Sequence, residues 1–244
     1  MRRRHRDEAG LFLAEGPQAV REALAHGSVL EVFTDGRGGD LVDQASAAGV
    51  PVRPSTEAAL AVLAETVTPQ GIVAVCRHLH IGLSAMLERA PRLVAVLAGV
   101  ADPGNAGTVT RTADAAGAAA VVFGRGGVDP YNGKCVRASA GSLFHVDVVR
   151  EATATEAVEA LRAAGMTVLA ADAHGETDLD KLAADGGLAG RTAWVFGSEA
   201  HGLPEPVLAA ADARVRVPIH GRAESLNLAA AAALCLYASA RAIN

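Results

Sequence analysis

The feature that most constrains this chain is a series of short, almost unbroken apolar runs in its last two-thirds. Residues 93–97, 119–123, 143–149, 167–171, 194–197 and 214–219 read as strands. A strand with one face in water alternates apolar and polar residues. A run such as Leu93-Val94-Ala95-Val96-Leu97 does not, so both of its faces must be covered. Between these runs lie segments with helical character at 108–116, 155–164 and 226–240. Strands buried on both faces and alternating with helices predict an α/β domain built on a mostly parallel sheet. Composition agrees with this. Half of the 244 residues are hydrophobic but only 3% are aromatic, so alanine, valine and leucine must build the core. Small apolar side chains suit close helix-on-sheet packing.

The first third has the same alternation on a smaller scale. Strands are expected at 11–14, 29–34, 50–53 and 72–77, with helices at 17–25, 41–48 and 56–64. Pro17 suits a first helical turn, Gly49 a helix end and Ser55 an N-cap. Character changes at 81–91, where Ile81-Gly82-Leu83-Ser84 and Ala90-Pro91 flank a short helical piece. The expected division is a small α/β domain over 1–80, a linker over 81–91 and a larger domain over 92–244.

Several functional classes lack support. Cys76, Cys135 and Cys235 are scattered, no CxxC or HExxH occurs, and no metal is expected. The basic N-terminus is not followed by a leader-like apolar run, and residues 226–240 are too short to span a bilayer, so no membrane association is expected. These features fit a reducing, cytoplasmic setting. A formal net charge of −5 argues mildly against a nucleic-acid partner. Against that, Met1-Arg2-Arg3-Arg4-His5-Arg6 concentrates positive charge, either as a solvated terminus or as a phosphate-contacting arm.

Three segments carry more chemistry than a connection needs. The first runs from Asp102-Pro103-Gly104-Asn105-Ala106-Gly107 to Arg111-Thr112-Ala113, a tight loop after a strand that opens a helix bearing Arg111. Loops at strand ends are where open α/β sheets bind ligands. Asn105 could instead be a simple helix cap and Arg111 a surface ion-pair partner. The second is Gly197-Ser198-Glu199-Ala200-His201-Gly202-Leu203-Pro204, a glycine loop carrying a carboxylate. Its alternative is an ordinary turn with Glu199 near a helix N-terminus. The third, Val217-Pro218 through Ser225-Leu226-Asn227-Leu228, places Ser225 as a plausible N-cap and leaves Asn227 without a structural role. No GxGxxG, GxxxxGK[ST] or GxSxG motif accompanies them.

Taken together and in this order, the three segments resemble the motifs of the SpoU (TrmH) family of SPOUT RNA methyltransferases. The N-terminal pieces Phe12-Leu13-Ala14-Glu15-Gly16 and Thr68-Pro69-Gln70-Gly71-Ile72-Val73-Ala74 are similar to that family's RNA substrate-binding domain, itself like certain ribosomal proteins. The resemblance implies a trefoil knot in the C-terminal domain, a homodimer with the active site at the subunit interface, and transfer of a methyl group from S-adenosyl-L-methionine to a ribose 2′-hydroxyl of RNA. The additional N-terminal domain favours ribosomal RNA over transfer RNA.

On that resemblance, Arg111, Asn105, Glu199, Ser225 and Asn227 are the expected catalytic residues. The backbone around Gly197, Gly202, Val217, Ile219 and Leu226 is expected to cradle the cofactor. Arg2, Arg3, Arg4 and Arg6, with Lys134 and Arg137 from the polar stretch that also holds Asn132 and Ser139, are the expected RNA contacts. Arginine stays protonated at neutral pH, so Arg111 suits charge stabilisation and phosphate binding better than proton removal. The competing possibilities are a transfer-RNA methyltransferase, a catalytically inactive RNA-binding protein on the same scaffold and, against the missing fingerprint, a nicotinamide-dependent oxidoreductase.

Overall fold

A computed structural model describes residues 3–150 and 152–243, so Arg2 lies outside the described residues. The N-terminal unit contains α1 (Arg3–Ala9), β1 (Leu11–Glu15), α2 (Pro17–His26), β2 (Val29–Thr34), α3 (Asp40–Ala47), β3 (Val52–Pro54), α4 (Glu57–Ala64) and β4 (Ile72–Arg77). Its four strands are ordered β1-β4-β2-β3. β4 runs antiparallel to both β1 and β2, and β2 is parallel to β3. Thr56, not Ser55, caps α4 by accepting the Ala59 N–H.

The larger unit contains α5 (Leu83–Glu88), β5 (Leu93–Ala98), α6 (Pro103–Ala115), β6 (Ala120–Phe123), α7 (Gly133–Ser139), β7 (Asp147–Arg150), α8 (Ala154–Ala163), β8 (Thr167–Ala171), β9 (Thr177–Asp178), α9 (Leu179–Ala184), β10 (Thr192–Gly197), α10 (Glu205–Ala210), β11 (Ala213–Arg216) and α11 (Leu228–Ile243). All neighbouring strands of its seven-stranded sheet are parallel, in the order β7-β6-β5-β10-β8-β11-β9. Every residue of β5 and β10 is buried, as their unbroken apolar character requires. The expected strand over 143–149 divides instead. Ser142–Phe144 forms a 3-10 turn, and only Asp147–Arg150 joins the sheet.

From β5 the chain steps outward through β6 to β7, then crosses back to build the other half beyond β10. The order therefore reverses between β5 and β10. In open parallel sheets the carboxyl ends at such a switch point are the ligand site. The two glycine loops singled out in the sequence follow these two strands. On one face α11 packs against β10, β5 and α6. Its alanines allow close approach, and the buried Trp194 indole N–H donates to Ser239 Oγ at 2.8 Å.

The two units share a continuous apolar cluster that includes Phe12 and Val20 from the first and Tyr131, Cys135 and Phe144 from the second. Phe12 and Tyr131 have ring centroids 4.7 Å apart. The Tyr131 hydroxyl accepts the N–H groups of Leu79 and His80, each at 2.7 Å, and so pins the chain between the units. Segment 81–91 also packs tightly. Ile81 bridges to Val149, and Met86 is fully buried against the larger sheet.

This interface corrects the expected role of Arg6 and gives Arg137 structural partners. Arg6 was expected to contact RNA, yet its guanidinium is buried and binds Asp129 through Nη2 at 2.6 Å and Nε at 3.1 Å. Arg137, also an expected RNA contact, donates to the Ala64 carbonyl at 3.1 Å and faces Glu15 at 3.7 Å. Both were read as surface cations because their partners lie 123 and 73 residues away in sequence. The basic N-terminus is helical from Arg3, with Arg3 and Arg4 paired to Asp7 and Glu8 one turn on. Arg3 and Arg4 remain on the surface.

Candidate functional site

Helix α6 starts at Pro103, and its N-cap is Asp102, whose carboxylate accepts the Asn105 N–H at 2.8 Å. The simple capping role considered for Asn105 is thus filled by a neighbour. The Lys134 ammonium holds the second Asp102 oxygen at 2.7 Å. That contact, followed by the Asn105 N–H bond, keeps the Asp102 carboxyl below the usual aspartate range. Gly104 makes this crossing possible, because a Cβ there would press on Asp102 and the Lys134 side chain.

With its backbone capped by Asp102, Asn105 has its side chain available for other partners. Its amide donates to Glu199 Oε1 at 2.8 Å, and its carbonyl accepts the Asn227 amide at 3.3 Å. The Asn227 carbonyl in turn accepts the Ala229 N–H at 2.9 Å. Asn227 therefore caps α11, and the expectation that Ser225 does so is corrected. The polarity of this chain is forced. A carboxylate only accepts, so Asn105 must present its NH2 to Glu199 and its carbonyl to Asn227. Asn227 must then donate through its NH2, which leaves its carbonyl for the helix. Residues 94 and 122 positions from Asn105 thus meet on one side chain.

The Glu199 loop is shaped by glycines. β10 ends at Gly197, where a Cβ would collide with the Gly202 backbone. Ser198 and Gly202 exchange backbone hydrogen bonds at 3.0 and 2.8 Å, and Gly202 has φ +65°, which favours glycine. Beyond β11 the chain has no regular structure from Val217 to Asn227. Val217 is half-buried, while Ile219 and Leu226 are exposed, unusual placements for large aliphatic side chains in an otherwise polar loop. A glycine loop open to close backbone approach, beside unfilled apolar contacts, fits a ligand with a flat heterocycle and polar edges.

Arg111 lies six residues beyond Asn105, about 9 Å along α6, and is exposed. Among the described residues it has no ion pair, so the surface-pair alternative finds no partner. Nor does it hydrogen-bond to Asn105, Glu199 or Asn227. Ser225 likewise sits in the exposed loop without joining the amide chain. Asp102 was not expected as a site residue. The signal for it was present, since an aspartate immediately before a helix-opening proline is a strong N-cap.

Other reactive side chains are inert or structural. Burial pushes the thiols of Cys76 and Cys235 up to about 12, so neither is a nucleophile at neutral pH. No group of three or more histidine, cysteine or acidic side chains suited to a metal occurs among the described residues. No helix among them is long and apolar enough to cross a membrane.

Comparison with known proteins places the fold. Residues 92–237 match the SpoU rRNA methylase family model, and residues 1–74 match an MRM3-like substrate-binding domain. The chain is 35% identical over 236 residues to the 23S rRNA (guanosine(2553)-2′-O)-methyltransferase of Bacillus subtilis, covering 96% of this chain and 90% of that protein. An AdoMet-bound rRNA methyltransferase from Sinorhizobium meliloti superposes with a TM-score of 0.86 at 30% identity, covering 98% of this chain and 90% of that one. The SpoU methyltransferase AviRb from Streptomyces viridochromogenes, also complexed with AdoMet, gives 0.85 at 29% identity, covering 98% and 93%. The fold, the switch-point site and these similarities together make the chain a member of the SpoU methylase family.

Proposed function

We propose that this protein transfers the methyl group of S-adenosyl-L-methionine to a ribose 2′-hydroxyl of ribosomal RNA. The observation that carries the proposal is the Asn105 side chain, which joins Glu199 and Asn227 at the sheet's switch point. Relatives that span both units include several named for 23S rRNA, beside others named for tRNA/rRNA, and the former favour ribosomal over transfer RNA.

The residues present suit the cofactor. Gly197 lets the turn close on the Gly202 backbone, Gly202 borders open space, and Val217, Ile219 and Leu226 would lie against the adenosine. Bound there, S-adenosylmethionine supplies an electrophilic methyl on a sulfonium. The protein's task is to hold the ribose oxygen in line and favour negative charge on it. Glu199 is oriented through one oxygen by Asn105, so its second oxygen can accept the 2′-hydroxyl proton. Arg111 binds the adjacent phosphate and stabilises the forming alkoxide, while Ser225 orients the ribose. Lys134 acts through Asp102 and keeps the α6 loop in place.

In the same account, residues 1–80 recognise RNA, 81–91 link the units and 92–244 form the catalytic domain with a trefoil knot. The enzyme works in the cytoplasm as a homodimer whose active site lies at the subunit interface. Exposed Leu226, Leu234 and Tyr237 offer apolar surface for such an interface. Leu236 of the same helix is fully buried.

The test combines cofactor binding with turnover. S-adenosylhomocysteine should raise the melting temperature, and NAD should not. Arg111→Ala should lower methyl transfer roughly 10²- to 10³-fold, the usual loss for one transition-state charge contact, with S-adenosylmethionine affinity unchanged. Arg111→Lys should also fail, because an ammonium lacks the planar fork. Near-normal turnover in Arg111→Ala would remove Arg111 from the mechanism, and stabilisation by NAD alone would refute the activity.

A further inference from the structure

A second polar feature lies on the same edge of the large sheet as Asn105. Beyond the carboxyl ends of β6 and β7 is a cleft of about 250 Å³ lined by Arg3, Phe123, Gly124, Arg125, Gly127 and Arg150, among others. That is more than ten times the roughly 15 Å³ one water needs. Arg150 ends β7, Arg125 follows β6, and Arg3 reaches in from α1 of the other unit. The sheet register sets Phe123 beside Leu97 and Arg150 beside Phe123. The cleft is therefore one strand away from the loop that carries Asn105, on the side facing the N-terminal unit.

The charge balance favours an anion. Arg3, Arg125 and Arg150 line it and none of its lining residues is acidic, while the carboxylates nearby among the described residues are already engaged. Asp129 is held by Arg6 at 2.6 Å and Asp7 by Arg150 at 2.9 Å, while Glu156 accepts the Thr153 N–H at 2.7 Å. Arg150 is almost wholly buried and fixed by Asp7, so it is a preorganised donor at the cleft wall. Arg125 is exposed at the mouth, on a turn whose Gly124 and Gly127 pack closely on the Leu97 and Val100 backbone and whose Gly126 borders open space. Guanidinium groups around a glycine turn suit phosphate oxygens.

We propose that this cleft is a phosphate subsite for the RNA backbone, bridging the N-terminal unit and the catalytic loops. The proposal rests on the RNA methyltransferase function above and adds to it the path of the substrate. A strand that contacts the N-terminal unit and presents a ribose near Asn105 crosses this edge, and the cleft fixes its register one strand before the reacting nucleotide.

The test measures binding of an in vitro 23S rRNA transcript against salt concentration, with methyl transfer measured in parallel. Arg125→Glu and Arg3→Glu should each weaken binding about tenfold and lower the slope of log K against log salt by about 1. S-adenosylhomocysteine affinity should not change. Lys181→Glu makes the same charge change on α9, beside the opposite edge strand, and should do much less. Wild-type affinity and slope in Arg125→Glu and Arg3→Glu, with methyl transfer by the wild type intact, would overturn the subsite and leave the function standing. Equal losses in Lys181→Glu would overturn it as bulk charge. Binding of 5′-GMP that depends on Arg125, with RNA binding unaltered, would overturn it in favour of a free nucleotide. A wild type that neither binds nor methylates the transcript would overturn the function and the subsite together.

Discussion

Replacing Arg6 with methionine separates two roles that one arginine could have. In the sequence Arg6 belongs to a basic cluster and looks like an RNA contact. In the structure its guanidinium is 9% exposed and makes a two-nitrogen contact with Asp129, itself 4% exposed. Arg6→Met keeps the aliphatic stem and removes the charge. Removing one partner of a buried pair typically costs about 3–5 kcal/mol, because the other charge is left uncompensated. Here Arg150 Nη1 lies 3.9 Å from Asp129 and the Tyr131 N–H donates to it at 3.1 Å, so the lower end applies, about 3 kcal/mol. For a chain of this size that corresponds to a melting temperature lower by roughly 6–12 °C. Arg6→Met combined with Asp129→Asn should recover a substantial part of the loss, since no unpaired charge then remains buried. Thermal denaturation of the two single variants and the double variant measures the coupling. A stable Arg6→Met protein with weakened RNA binding would refute the structural role and restore the sequence expectation.

Two further predictions follow from local geometry. Gly197→Ala should force the β10 end away from Gly202, lowering stability by about 1–3 kcal/mol and weakening S-adenosylhomocysteine binding measured calorimetrically; unchanged affinity would remove this turn from the cofactor wall. The His145 ring spans the two units, with Nδ1 2.8 Å from Asp114 and Nε2 3.1 Å from Glu22. Asp114 first, then Glu22, raises its pKa above the ordinary 6.5. The pairing therefore contributes fully below 6.5 and is lost as pH rises through the raised value. The melting-temperature advantage of wild type over His145→Gln should shrink with rising pH across that window, and a pH-independent difference would contradict it.

What the sequence made legible depended on whether the deciding interaction was local. Unbroken apolar runs such as 93–97 and 194–197, alternating with helical segments, read as strands covered on both faces, so the parallel sheet was readable without partners. Segment 143–149 shows the limit of that logic. Phe144 is buried among helices and the first unit, not in the sheet, so an apolar run alone could not tell core strand from core turn. At the site, the residue types in the three loops were legible but their division of labour was not. The choice between Ser225 and Asn227 as cap, or Asp102 and Asn105, depends on where the chain turns by one or two residues. The partners of Arg6 and Arg137 were hidden for a different reason. A charge is read as exposed unless its partner is visible, and theirs come from distant segments across the unit interface.

The central claim is tested most directly at the level of the modified nucleoside. A 23S rRNA transcript incubated with the enzyme and S-adenosylmethionine carrying a labelled methyl is digested to nucleosides and analysed by mass spectrometry. Fragmentation assigns the label to base or sugar. The account predicts one labelled 2′-O-methylnucleoside, with the label lost from the base fragment and its formation greatly reduced in Arg111→Ala. A label retained on the base, or no labelled nucleoside from enzyme that binds S-adenosylhomocysteine and the transcript, would contradict it.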